Sequence, residues 1–242
     1  MLSKWNPERV VTPEKMDMPG IDATAHRQAL AGLRRINALS GATARIAAPI
    51  VAWARQEGIG TLSLADVACG GGDVSIGVAE RLRQAGVAVS LHLLDISPTA
   101  LDHASKRARR AGFDCQTWEA PALQTLAKLQ VDVVINSLFL HHMPGRSETV
   151  AMLHGMAHAA KRMGVISDLR RCRMGHVAAV VGCHVLSRSP IVHYDGPVSV
   201  QAAWTEGELR EMAAEAGLVN AKIVRSRPWR LLLTWYKSES AR

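Results

Sequence analysis

The chain has 242 residues, 48% of them hydrophobic, which is enough for a sizeable core and suits one α/β domain with additions better than two domains. Its formal net charge is +8, but the cations are spread over helical stretches (Arg81, Arg83, Lys106, Arg107, Arg109, Arg110), where a solvated face accounts for them. With only two Tyr and two Phe, an aromatic platform for single-stranded nucleic acid is disfavoured, and nucleic acid is not the expected partner.

Residues 1–20 are polar, punctuated by Pro7, Pro13 and Pro19, and read as irregular. They lack the basic-then-apolar layout of a secretory leader. Residues 22–57 are helical in pattern. Ala25, Leu30, Leu33, Ile36 and Leu39 share a face, Ser40-Gly41 breaks the pattern, and a second helix runs to Gly58. An alternation of strand and helix follows. Residues 62–68 form a short apolar strand, and 73–85 a helix with Val74, Val78 and Leu82 one turn apart, closed by Gly86.

Residues 87–94 are the second strand. Ser97-Pro98 supplies a cap and a first-turn proline for a helix ending at Gly112. The third strand is 113–118 and the β-branched fourth is 131–138. A helix is expected over 147–163, stopped by Gly164, with the fifth strand at 165–169. Thr205 and Glu208 make a capping box for a helix ending at Gly217. Two last strands, 221–225 and 229–236, turn near Pro228.

This order implies an α/β fold: a doubly wound, seven-stranded, mostly parallel sheet of Rossmann-like type, with a final hairpin adding one antiparallel strand. Residues 1–58 are expected as an N-terminal helical cap and 59–242 as the main domain. Residues 170–197 are a lid-like insertion after the fifth strand, one helix plus a loop. The apolar run 174–186 is too short to span a bilayer and contains His176 and His184. The expectation is a cytoplasmic protein, with peripheral membrane contact as a weaker alternative. Cys69, Cys115, Cys172 and Cys183 form no CxxC pair, which fits reduced thiols. Oligomeric state has no signature in the sequence.

The densest signal is Leu64-Ala65-Asp66-Val67-Ala68-Cys69-Gly70-Gly71-Gly72-Asp73. Between a strand and a helix, glycines let the backbone bend sharply and approach a ligand at the carboxyl ends of the strands. A dinucleotide fingerprint requires a third glycine three residues after the second. Counting from Gly70 and Gly72, that position is Ser75. Asp66 would also repel a pyrophosphate, whereas it can pair with an ammonium. Asp95 ends the second strand, where a carboxylate can accept both hydroxyls of a ribose. Glu119-Ala120 follows the third.

This constellation resembles the class I S-adenosylmethionine-dependent methyltransferases over roughly residues 60–238. The family turn reads acid–hydrophobic–glycine–x–glycine–x–glycine; Asp66, Gly70 and Gly72 match, and Ala68 replaces the first glycine. The resemblance implies that Asp66, Ala68, Gly70, Gly72 and Asp73 hold the methionine part of the donor. It assigns Asp95 to the ribose and Glu119 and Ala120 to the adenine, with Ile96 and Asn136 completing the donor set. After the fourth strand, Asn136-Ser137-Leu138-Phe139-Leu140-His141-His142-Met143 is similar to the asparagine-x-leucine-histidine-histidine segment of small-molecule members. The segments 33–37, 168–171 and 188–197 resemble bacterial members acting on quinone, phenolic or polyketide-type acceptors.

Methyl transfer from a sulfonium is an in-line displacement that gains from positioning and, for a hydroxyl acceptor, from a base near neutral pKa. His141 and His142 are the expected base, with packing or capping as the alternative reading. Arg170 and Arg171 after the fifth strand, and His193 in the insertion, are candidate acceptor-binding residues. No metal is expected: His154 and His158 lack a third ligand, and the fourth strand ends in Asn136 instead of an acid. The reading is metal-independent transfer to a small hydroxylated molecule, O-methylation favoured over C-methylation. An RNA methyltransferase, an inactive donor-binding partner protein and an NAD-dependent oxidoreductase are the alternatives.

Overall fold

A computed structural model describes residues 7–18 and 20–237. After a strap over residues 7–18, which includes a short 3-10 turn Lys15–Asp17, come α1 (Ala23–Ser40) and α2 (Ala42–Gln56). The alternating part contains β1 (Thr61–Val67), α3 (Asp73–Gln84), β2 (Ala88–Asp95), α4 (Pro98–Arg110), β3 (Cys115–Glu119), α5 (Ala122–Leu126) and β4 (Val131–Ser137). A 3-10 turn Leu140–His142 leads to α6 (Arg146–Ala159) and β5 (Ala160–Leu169). The insertion is α7 (Arg173–Leu186) and α8 (Pro190–Ala202), followed by α9 (Glu206–Glu215), β6 (Lys222–Ser226) and β7 (Arg230–Tyr236).

The seven strands lie in the order β3-β2-β1-β4-β5-β7-β6. Strands β1 to β5 pair in parallel, and β7 runs antiparallel to both β5 and β6. The chain order reverses between β1 and β4, so the crevice above their carboxyl ends is the switch point where ligands bind in such sheets.

Local chemistry explains the element ends. Ser97 accepts the amide of Ala100, with Pro98 in the first turn of α4; Thr205 and Glu208 bond reciprocally at α9. Two expectations are corrected. Gly164 does not stop a helix: α6 ends at Ala159, and Gly164 sits inside β5 opposite Trp235 of β7. A Cβ at 164 would overlap the Trp235 indole, so the glycine lets that ring lie flat on the sheet. The expected loop of the insertion is the helix α8, begun by Pro190 and carrying Pro197 inside it. Its buried Val192, Val198 and Val200 show packing outweighing the local cost of that proline.

Both faces of the sheet are covered. On one, Ile46 and Ile50 of α2, Leu82 of α3 and Ala104 of α4 close over Leu64, Leu91, Val133 and Val165. Each fully buried isoleucine contributes about 1.5–3 kcal/mol. The other carries Leu153 and Met156 of α6 and Met212 of α9. Thus α2 shares the sheet's own core, while α1 packs with α7 and α8 through Ala29, Cys183 and Val192. The side chains of Leu30, Leu33 and Leu39, expected on the shared face of α1, lie outside the described part. No described helix is long and apolar enough to cross a membrane.

Candidate active site

The turn after β1 is built for close approach. Ala68, Gly70 and Gly72 have φ of +57°, +52° and +71°, the left-handed region that glycine occupies at least cost. Ala68 therefore carries about 1–2 kcal/mol of strain that a glycine would avoid. A Cβ on Gly72 would stand 3.0 Å from that of Ala104, so α4 seals one side, while a Cβ on Gly70 would face open space. Asp95 holds the turn from β2, accepting the Gly70 amide at 2.8 Å and the Ser97 amide at 2.9 Å. In register it stands beside Glu119 at the end of β3, which places these two expected donor acids side by side.

Asp66 lies below the turn, 2% exposed. Burial pushes its carboxyl up to about 7 against hydrogen bonds from Ser75, and the nearby Asp95 charge adds to the rise. Asp73 opens α3 and pairs with Arg107 at 2.5 Å. Ile96 is 72% exposed, and Ala120 follows Glu119 at the rim. Asn136 is fully buried; its amide donates to Val67 O at 2.7 Å, while its Oδ1 and the neighbouring Ser137 Oγ find no partner among the described residues. Open space at a positive-φ glycine, a carboxylate at each of two strand ends and unused acceptors at a third fit S-adenosylmethionine, whose ribose and amine are donors.

The second centre lies past β4. His141 is 3% exposed. Its Nδ1 and Asp168 Oδ1 are 2.6 Å apart, and its own amide donates to Asp168 Oδ2 at 3.2 Å. Asp168 ends β5, the strand next to β4, and is itself only 4% exposed. On the far side of the ring, Glu14 Oε1 of the strap stands 3.6 Å from His141 Nε2 and 3.9 Å from His142 Nε2. The Ser199 hydroxyl of α8 donates to the same oxygen. Burial alone would lower the imidazole, but the Asp168 carboxylate, joined by Glu14, outweighs it and raises His141 to about 9. Asp168 and Glu14 are both held below the usual carboxylate range: burial works to raise each, and His141 foremost among their partners outweighs it.

His141 is therefore an imidazolium between two carboxylates in this arrangement. Both ring nitrogens then carry protons and have no lone pair to give. Ligating atoms of Glu14, His141 and His142 lie within 4.8 Å of one another, and in this arrangement the three form an ion-paired cluster. His154 and His158 are exposed on α6.

The strap is pinned at several points. Arg9 donates to the carbonyls of Ala202, Pro144, His141 and Met143 and lies 3.8 Å over the Trp204 ring. Asp195 accepts the amides of Lys15 and Met16. Arg171, expected at the acceptor, is instead part of this fastening: it donates to Pro7 O, Ala203 O and Glu208, and these bonds use its guanidinium. His193 is likewise turned to the scaffold, bonded to Ser187 O at 2.7 Å and stacked on His184. Arg170 stays half-buried after β5, with its Nε unpartnered. The expected donor residues thus converge, and of the acceptor set His141 and His142 do. Glu14, Ser199 and Asp168 were not singled out as site residues. Only Asp168 had a signal, an acid ending a strand as Asp95 does. A cavity of about 540 Å³ lined by Arg35, Val185 and Arg188 shares no residue with either centre.

A methyltransferase-domain family model matches residues 65–166. A ubiquinone biosynthesis O-methyltransferase from Azoarcus sp. (strain BH72) is 35% identical over 133 residues, 53% of each chain; the chain spans about half the length of this relative. Among solved structures, the magnesium protoporphyrin IX methyltransferase of Synechocystis PCC 6803 with bound S-adenosylmethionine is 20% identical with a TM-score of 0.51, covering 93% of this chain and 88% of that one. The plantazolicin methyltransferase BpumL in complex with S-adenosylhomocysteine is 13% identical with a TM-score of 0.67, covering 90% and 92%. At these identities the likeness is one of fold, and it extends on both sides of the matched domain. Residues 65–166 are thus a methyltransferase domain by sequence, and the fold around them is the one these donor- and product-bound methyltransferases share.

Proposed function

We propose that the protein methylates a hydroxyl of a small acceptor, phenolic, quinol or polyketide-like, with His141 as general base and Asp168 as the residue that orients it. The observation that carries this reading is the 2.6 Å His141–Asp168 contact at the ends of β4 and β5, beside the strand whose turn holds the donor. Asp168 holds Nδ1–H and turns Nε2 to the strap side of the ring, where the neutral form of the imidazole can take a hydroxyl proton. The bound donor supplies a methyl group on a sulfonium, and its carbon–sulfur bond breaks as the acceptor oxygen–carbon bond forms. The hydroxyl proton passes to His141 Nε2. A base that takes a proton from oxygen favours O- over C-methylation.

The acceptor's walls are α1, α7, α8 and the strap. Along α7 the exposed Met174, Val177, Val181 and Val185 form one stripe, with the exposed Arg173 and Arg188 at its ends. That pairing supports peripheral contact with an anionic membrane carrying a lipid-like acceptor. Sedimentation with phosphatidylglycerol vesicles but not phosphatidylcholine vesicles is the expected result. Four free cysteines support a reducing, cytoplasmic setting.

The central test is transfer of a labelled methyl group to a panel of phenols, quinols and hydroxylated polyketides by wild type and Asp168→Asn. Loss of the orienting carboxylate should lower kcat by about 10²–10⁴ while donor binding persists. Equal turnover by the variant would remove His141 from the mechanism.

A further inference from the structure

Glu14 is an odd residue to find against the proposed base. It comes from a segment remote in sequence, is largely buried, and places a single oxygen where three groups converge: His141 Nε2, His142 Nε2 and Ser199 Oγ. The scaffold does not need a charge there, since Asp168 already pairs with His141. An oxygen bearing negative charge, met by an imidazolium and a hydroxyl, is what a deprotonated acceptor would present at the same point.

We propose that Glu14 holds the acceptor's place: the strap of residues 7–18 plugs the acceptor site with the Glu14 carboxylate, and an acceptor enters by displacing it with an acidic hydroxyl of its own, as in a phenol or enol. This rests on the base assignment for its catalytic meaning, though not for the plug itself. It makes Glu14 a specificity-determining residue. A carbon nucleophile or a simple alcohol offers no charge to replace the carboxylate, whereas a phenol near its ionisation does.

The proton count follows. As the carboxylate withdraws, His141 loses one of its two negative neighbours and its Nε2 proton becomes easier to release to solvent, while Nδ1–H stays bonded to Asp168. The neutral ring then accepts the acceptor's hydroxyl proton at Nε2. The other groups facing this site do not replace Glu14. Arg9 is spent on backbone carbonyls, and Arg230 of β7 lies on the Asp168 side. His142, on the same turn, has its ring tilted against that of His141 with centroids 4.3 Å apart.

The fastening allows such movement. Besides the Glu14 contacts, the strap is held by polar bonds from Arg9, Arg171 and Asp195 and by the Val10 amide on Gln201 O, which can exchange with water, and by Met16 at the edge of the small Ala29–Cys183–Val192 cluster; neither core on the sheet has to open for it to move.

The test uses full-length protein loaded with S-adenosylhomocysteine, and 4-nitrophenol, whose ionised form is coloured, as the probe. Glu14→Ala should bind it about tenfold tighter than wild type or more, because the competent state no longer has to be released from the plug. In Glu14→Gln, which keeps the bond with Ser199 and the shape, the His141 ring signal followed by NMR should titrate at lower pH than in wild type. It should stay above an ordinary histidine because Asp168 remains. Equal probe affinity in Glu14→Ala, or probe binding to neither protein, would overturn the plug; so would an unmoved His141 titration in Glu14→Gln. Failure of the methyltransferase reading looks different: no binding of S-adenosylhomocysteine by wild type, or tighter probe binding with no methyl transfer to any phenol.

Discussion

Replacing Asp95 by Asn tests the donor site at its hinge. In the folded chain the two carboxylate oxygens are divided between two backbone amides, Gly70 at 2.8 Å and Ser97 at 2.9 Å. An amide side chain keeps one acceptor and turns the other into an NH₂ that faces an N–H, so one of these bonds becomes a repulsion. Asparagine also lacks the charge that favours two ribose hydroxyls. A charge-assisted hydrogen bond is worth about 1.5–3 kcal/mol, and every 1.4 kcal/mol is tenfold, so S-adenosylhomocysteine should bind about 10- to 150-fold more weakly. The fold should lose about 1 kcal/mol for the broken amide contact, or about 2–4 °C in Tm for a domain of this size. Calorimetric titration and a melt on the same preparations separate the two losses. Unchanged affinity beside a slightly lowered Tm would refute the ribose assignment. A much larger fall in Tm would make the weakened binding a consequence of a collapsed turn.

Three further outcomes are expected. Gly164→Ala should destabilise the protein by about 1–3 kcal/mol or more, read as a lowered urea midpoint, because the new methyl meets the Trp235 ring. Asp66 sits at about 7 when the site is empty, and a cationic amine nearby favours its ionised form. Donor affinity should therefore rise from pH 6 to pH 8 with release of about half a proton at pH 7; heats of binding identical in buffers of different ionisation enthalpy would contradict this. His141, raised to about 9 from an ordinary value of about 6.5, contributes stability that is fully present below about pH 6.5 and lost as the pH climbs through 9. Asp168→Asn should flatten that part of the urea midpoint's pH dependence, and an equally steep profile in the variant would place its origin elsewhere.

The donor half of the site was legible because it is local. Asp66, the turn and Ser75 lie within ten consecutive residues, and Asp95 and Glu119 each end a strand in the alternation that follows, the first of them marked by an apolar run, so a linear reading finds all of them. The structure adds what sequence alone does not show, such as the positive φ of Ala68 where a glycine is usual. The acceptor half is assembled from remote pieces. Asp168 lies 27 residues from His141, and Arg9 reaches the His141 carbonyl across 132. No periodicity marks residues 7–18, whose polar, proline-spaced composition reads as irregular chain and is in fact a strap. The misplacements have the same origin: Gly164 resembles a helix stop until Trp235 is seen against it, and Pro197 resembles a loop residue until the burial of Val192 and Val200 shows why the helix continues through it.

That contrast between local and remote pieces also bears on how the two halves work. The donor turn is bounded by strands fully paired in register and by α4 in van der Waals contact at Gly72, so it can meet a ligand preorganised and without rearrangement. On the acceptor side, His141 and Asp168 are as deeply buried as the core, whereas Glu14 is brought to them on a segment fastened by hydrogen bonds to carbonyls, amides and one indole face. Such charge-assisted bonds are worth about 1.5–3 kcal/mol each, but water can take their place as the strap lifts, whereas emptying a core position such as Leu153 costs about 2–5 kcal/mol with nothing to replace what is lost. The sheet and its imidazole–carboxylate pair can therefore stay fixed while the strap alone exchanges, which is the movement that the proposed displacement of Glu14 requires.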